Sequence, residues 1–226
     1  MAKNYVSNSS ESPRMFKSNL LEPLSKVHYS VPLFIYIPVV VYFSWKALGP
    51  GQMDVLHYLG FVALGLFVWT LSEYSLHRWV FHFHPKGKIL ERIHFIFHGV
   101  HHDYPRDRMR LVMPPSASIP MALILYFFFS LFLGNYQLAA FFPGFIIGYL
   151  FYDMTHYAIH HANFKSGIWK TIKQHHMLHH YQDPAKGYGV SSALWDKIFG
   201  SDFDNKKSAG EKVVNRESEM ETAKQS

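Results

Sequence analysis

The chain alternates between four long apolar runs and polar stretches. The runs cover residues 31–48 (VPLFIYIPVVVYFSWKAL), 55–76 (VLHYLGFVALGLFVWTLSEYSL), 117–133 (ASIPMALILYFFFSLFL) and 136–153 (YQLAAFFPGFIIGYLFYD). Each approaches the roughly 17–25 residues that an α-helix needs to cross a bilayer. Each is therefore predicted to be a membrane-spanning helix. Pro38, Pro120 and Pro143 interrupt the runs, but membrane helices tolerate such residues better than soluble ones do. Burial in a soluble bundle is the alternative. Four such runs in 226 residues would leave that bundle too little polar surface.

The spacing makes two hairpins, closed by residues 49–54 (GPGQMD) and by Gly134-Asn135. Two hairpins place both termini and the 77–116 segment on one side. Of 22 Lys and Arg, only Lys46 falls on the turn side. Positive charge stays cytoplasmic, so the large polar face is expected in the cytosol. The predicted fold is all-α, with four transmembrane helices in two hairpins under a cytosolic helical cap. Residues 1–30 form a cytosolic N-terminal segment, 31–200 the membrane domain and 201–226 a disordered cytosolic tail. The N-terminus does not read as a signal peptide, because its apolar stretch starts late, runs long and lacks a cleavage site.

Composition changes this picture in two ways. Mean hydropathy is −0.03, which would pass for a soluble protein, and the average hides the alternation. There is no Cys, which excludes disulfides, thiolate zinc sites and Cys nucleophiles. There are 16 His, and fourteen lie between His77 and His180.

These histidines form patterns: His77 and His82 make HxxxxH, His98, His101 and His102 make HxxHH, His156 and His160 make HxxxH, and His176, His179 and His180 make a second HxxHH. Residues at i, i+3 and i+4 share a helix face, so each HxxHH is expected to aim three imidazoles at one point. HxxxxH suits a straight helix poorly and is expected to bracket a site or sit at a helix end. Ten nitrogens exceed the capacity of one ion and suit two. Packed together without metal, many of these rings would protonate near neutral pH and repel. Isolated His28 and His57 are instead expected to be hydrogen-bonded core residues. Imidazole suits Zn, Cu, Fe and Ni alike. A zinc hydrolase would need fewer ligands. Two redox-active ions can activate O₂ against an unactivated C–H bond, which no side chain can do. Ligands next to span ends suggest a greasy substrate.

The strings EYSLHRWVFH (73–82), HGVHH (98–102), RLVMPP (110–115), FYDMTHYAIHH (151–161), HMLHH (176–180) and GYGVSSALWDKIFG (187–200) resemble the membrane fatty acid hydroxylase superfamily, and within it the fatty acid 2-hydroxylases acting on ceramide acyl chains. The resemblance implies a dimetal centre in the endoplasmic reticulum membrane, iron-dependent, with zinc able to occupy the same ligands. The implied ligands are His77, His82, His98, His101, His102, His156, His160, His176, His179 and His180, and His94, His161 and His175 adjoin matched positions. Asp153, Glu73 and Tyr152 are expected to orient ligand rings by accepting N–H bonds, unless they are ordinary polar residues at helix ends. Trp195 and Tyr188 are candidates for setting acyl-chain register. Many members carry a fused haem domain, for which the thirty residues before the first run leave no room, so a separate cytochrome b5 is the expected electron donor. Lys86, Lys88, Arg92, Arg106, Arg108 and Arg110 would steer an acidic donor, bind anionic lipid or simply follow the topology rule. The implied activity is hydroxylation at C2 of a fatty acyl chain of ceramide, and no nucleic-acid partner is expected. The alternatives are a sterol oxidase or desaturase of the same superfamily, a metal transporter, and a scaffold with structural metal.

Overall fold

A computed structural model describes residues 6–7, 9–49 and 52–203. Among the described residues every regular element is helical and there is no strand. The chain divides into two units. Of the described residues, one comprises 9–49, 52–72 and 107–157, and the other 6–7, 73–106 and 158–203.

The first unit holds α1 (Leu21–Leu24), α2 (Val31–Leu48), most of α3 (Val55–Ser75), α6 (Pro115–Ser130) and most of α7 (Asn135–His161). Three helical stretches are long and apolar enough to cross a membrane: Val31–Leu48, Val55–Phe81 and Asn135–His161. The apolar α6 is shorter than the predicted 117–133 run, with 16 residues ending at Ser130. The Leu131 and Phe132 amides reach back only three residues, to the Phe128 and Phe129 carbonyls, and this tightening closes the helix. Exposure is inverted relative to a soluble protein, with Phe34, Leu56 and Phe127 each more than 60% exposed on outer faces, as lipid-facing surfaces require.

Helix α7 is the axis of this unit, with Leu138, Phe141, Phe145 and Ile146 buried. It meets α3 backbone to backbone. A Cβ on Gly144 would lie 1.9 Å from the Val62 carbonyl oxygen, and one on Gly65 2.1 Å from that of Phe141. Only glycine permits this approach. Asp54 starts α3 by accepting the Leu56 and His57 amides at 3.0 and 3.1 Å.

A buried charge network ties the N-terminal segment to the loop before α6. The Arg110 guanidinium donates to Glu22 (2.8 Å), Asp107 (3.0 Å) and the Ser12 hydroxyl (3.0 Å). Glu22 also accepts the Met15 and Phe16 amides. Arg110 therefore leaves the basic face that the sequence suggested, while Lys86, Lys88, Arg92 and Arg108 are exposed. His28 and His57 correct a second expectation. Both are hydrogen-bonded, to Ser30 and Asp54, yet both are exposed rather than core residues.

The second unit contains the end of α3 with its continuation Leu76–Phe81, then α4 (Lys88–His94), residues Phe95–Gly99, α5 (Val100–Asp103), the end of α7, α8 (Gly167–Tyr181) and α9 (Leu194–Ile198). Leu76–Phe81 and Phe95–Gly99 are wound as π-helix, with i→i+5 bonding. Ser201 and Phe203, assigned by sequence to a disordered tail, are packed: the Phe203 ring lies 5.6 Å from that of His175. The rest of the expected tail, residues 204–226, lies outside the described residues, as do residues 50–51 of the first hairpin turn.

Candidate metal centre

The sequence made HxxxxH an awkward spacing, and the π-helix resolves it. The wider turn brings His82 over His77, with the His82 amide on the His77 carbonyl and the two Nε2 atoms 3.2 Å apart. A second π turn carries His98 and leads into α5, which carries His102. Helix α8 supplies His179. The five rings converge through Nε2: His77 to His98 is 3.0 Å, His98 to His82 and His102 3.1 Å each, His102 to His82 3.1 Å, and His179 to His82 and His102 3.0 and 3.2 Å.

Backbone carbonyls fix the tautomer of two of the five rings. His77 Nδ1 donates to the Tyr188 carbonyl (2.5 Å) and His179 Nδ1 to the Lys186 carbonyl (2.7 Å). A carbonyl only accepts, so Nδ1 carries the proton and each neutral ring turns a bare Nε2 lone pair inward. Both rings thus turn toward the other three the lone pair through which a neutral imidazole ligates a cation. With metal–nitrogen bonds of about 2.0–2.1 Å, nitrogens on one ion lie about 2.9 Å apart at right angles and about 3.4 Å apart at the tetrahedral angle. The observed 3.0–3.2 Å falls inside that window.

A second set lies beside the first. His176 Nε2 is 3.0 Å from the Nε2 atoms of both His160 and His180. The His101 ring stands edge-on to His160 and His180, with centroids 4.7 and 4.6 Å apart. His156 sits one turn before His160 on α7, on the far side of the division between units, and is itself buried. Both HxxHH triplets are thus divided, which corrects the expectation that each serves one point. His98 and His102 go to the first set and His101 to the second; His179 goes to the first and His176 and His180 to the second. The reason is angular. Positions i and i+4 stay close on a helix, whereas i+3 falls to the other side of the same face.

Burial, followed by the neighbouring imidazoles, holds His82, His98 and His180 well below the usual histidine range. They stay neutral, the form that ligates. A cavity of about 380 Å³ reaches the rings of His82, His102 and His180, with Glu91, His94 and Asp103 on its walls.

His94, His161 and His175 belong to neither set. His94 lines the cavity. His175 donates Nδ1–H to the Gly189 carbonyl (3.2 Å), and its Nε2 lies 3.2 Å from Asp202. Glu73 was expected to accept from a ligand ring; its Oε1 instead accepts the Val190 and Ser191 amides, at 2.8 and 2.7 Å. Asp153 is buried on α7, and the Tyr152 ring stacks against His156 at 5.7 Å. The Tyr188 ring packs on His77, His82 and His179, while Trp195 stacks on Phe199. Sequence reasoning missed Asp196, which is fully buried and accepts the Tyr188 and Gly189 amides. A lone Asp in an apolar short helix was the only available signal.

An all-helical membrane-type chain with two histidine sets is the class that the fold and site define. The family model for fatty acid hydroxylase matches residues 62–201. The chain belongs to the fatty acid hydroxylase family. It is 41% identical over 190 residues to the ceramide very long chain fatty acid hydroxylase scs7 of Schizosaccharomyces pombe, covering 81% of this chain and 53% of that protein. It is 38% identical over 196 residues to the dihydroceramide fatty acyl 2-hydroxylase FAH2 of Arabidopsis thaliana, covering 84% of this chain and 80% of that one. A solved structure described as full length scs7p, with only the hydroxylase domain visible, superposes with a TM-score of 0.77 at 38% identity, over 82% of this chain and 70% of that chain. The chain thus spans about half the length of the fission-yeast protein.

Proposed function

We propose that the chain is a membrane-bound dimetal oxygenase that hydroxylates C2 of very-long-chain fatty acyl groups on ceramide. The observation that carries this reading is the convergence of five histidine Nε2 atoms at separations of 3.0–3.2 Å beside a second buried histidine set. The names of the relatives supply the substrate class. One set is His77, His82, His98, His102 and His179. The other is His101, His160, His176 and His180; His156, one turn earlier on α7, is the remaining ligand the sequence leads us to expect.

When bound, the ions, expected to be iron with zinc able to take the same ligands, supply the redox chemistry with O₂ that no side chain provides. One oxygen atom enters the C2–H bond and the other leaves as water, using two electrons and two protons. This chain's residues hold the rings neutral, fix the tautomers of His77 and His179 through backbone carbonyls and exclude bulk water from the second set. The cavity at His82, His102 and His180 is an approach to both sets. Exposed Lys86, Lys88 and Arg92 suit an acidic donor such as a separate cytochrome b5. In this reading α6 is the fourth span, the helices pair as two hairpins in the endoplasmic reticulum membrane, and the termini and histidine sets are cytosolic, as the lysine and arginine distribution favours.

The test is lipid profiling of cells with and without the gene. Gain of one oxygen at C2 of ceramide acyl chains supports the reading. Oxidised sterols, or loss of two hydrogens from the chain, would assign the chain to a sterol oxidase or desaturase instead. Altered cell metal with unchanged lipids would point to a transporter.

A further inference from the structure

The loop from Lys186 to Ser191 has two faces with opposite polarity. Four consecutive amides, from Tyr188 to Ser191, end on two buried carboxylates. Asp196 takes Tyr188 N–H on Oδ1 (2.9 Å) and Gly189 N–H on Oδ2 (2.8 Å), and Glu73 takes Val190 and Ser191 on one oxygen. The carbonyls of the same loop turn to the histidines, Lys186 to His179, Tyr188 to His77 and Gly189 to His175.

The two faces are joined through single peptide groups. The carbonyl of Tyr188 and the amide of Gly189 are one planar unit. That unit receives Nδ1–H of His77 at its oxygen and gives its own N–H to Asp196 Oδ2. A carboxylate on the N–H pushes electron density to the oxygen and strengthens the bond that oxygen accepts. Asp196 thus stands to His77 as a directly bonded carboxylate stands to a ligating histidine, with one amide in between. The Lys186–Gly187 unit repeats this for His179, its amide held by the Ser201 carbonyl at 2.8 Å. The Gly189–Val190 unit links Glu73 to His175, which lies in neither set. Gly187 is needed because φ is +70°, and a Cβ would lie 2.3 Å from the Phe203 ring.

We propose that Asp196 is a positioning residue for the first histidine set, acting through the Tyr188–Gly189 peptide group to fix the tautomer and basicity of His77, while Glu73 holds the loop without acting on either set. The inference rests on the dimetal reading above.

The two carboxylates respond differently to neutralisation. Asp196 uses both oxygens, so Asp196→Asn sets an NH₂ against a loop N–H whichever way the amide turns. Glu73 accepts both amides on one oxygen, so Glu73→Gln keeps both bonds. The experiment is zinc competition against a chelator, with metal counted per chain, on the full chain in detergent. The expected result is two ions in the parent, an Asp196→Asn variant that holds one of them about 10- to 100-fold more weakly, and a Glu73→Gln variant with both ions unchanged. If Asp196→Asn does not fold, Asp196→Glu replaces it, and weakening confined to one ion is again required. Two ions held as tightly as in the parent would overturn the proposal. So would parallel weakening of both ions, or the same loss in Glu73→Gln, because the loop would then be only a scaffold. A parent that binds fewer than two ions removes the dimetal reading, and the relay falls with it.

Discussion

The two units bury polar groups in opposite ways. In the unit built on α7, Arg110 is matched by Glu22 and Asp107, with side-chain exposures of 3%, 12% and 2%. Opposite charges there face one another, and both terminal nitrogens of the guanidinium find acceptors. In the histidine unit, buried imidazoles face one another with like atoms, and no carboxylate enters either set. The first arrangement pairs unlike charges supplied by the chain itself. The second is a group of like atoms that could hold a cation. Loss of a partner should therefore damage folding in one unit and metal binding in the other.

The largest effect expected is on turnover. His179→Ala removes a nitrogen that meets both His82 and His102. C2-hydroxylated product should fall by at least about 100-fold, beyond what removal of a mere orienting partner costs. His101→Ala should do the same to the second set. Both proteins should still elute as folded species in detergent. Full activity in either variant would break the ligand assignment. Arg110→Met should show the reverse pattern. Two carboxylates lose their buried counter-charge, which costs about 3–5 kcal/mol. Thermal unfolding should drop sharply, while surviving folded protein keeps its metal. A variant with normal stability and depleted metal would erase the contrast between the units.

Acid sharpens the comparison further. Burial raises the Glu22 carboxyl, but the Phe16 and Met15 amides, helped by Lys26 and Arg110, outweigh it and hold the group below the ordinary 4.5. A depressed carboxyl stabilises the fold above its unfolded value and loses that contribution as pH falls through the lower folded value. Unfolding midpoints followed from pH 6 towards pH 3 should therefore decline less steeply in Glu22→Gln than in the parent. Equal slopes would show that Glu22 is not the linked group.

Much of this contrast was legible in the sequence because it is periodic. The bounds of α2 follow the apolar run, and the ten histidines stand out by type and spacing. The sorting of ligands was not legible. The helix angle separates i+3 from i and i+4, but which set each ring joins depends on where the neighbouring helices cross, and that is tertiary. The π turns at Leu76–Phe81 and Phe95–Gly99 leave no composition signature, although the HxxxxH spacing was an unread hint of the first. Arg110 looked like one more surface cation, since nothing local predicts that Glu22, 88 positions away, will meet it. Glu73 and Asp196 were hidden for a related reason. Their partners are backbone amides, which every residue carries.

The smallest effect tests whether the bundle's self-sufficiency extends to its exposed edges. Asp54 accepts two amides at the start of α3 and also bonds the exposed His57 ring. The ring contact is solvated and contributes little. The cap satisfies amides that have no partner within the helix. Asp54→Ala should therefore cost about 1 kcal/mol, and His57→Ala should be close to neutral. Neither should change the metal count, since neither residue belongs to the histidine unit. If His57→Ala proved the more damaging of the two, the ring rather than the cap would be holding this end of α3. The isolated histidines would then need a structural role that their exposure does not suggest.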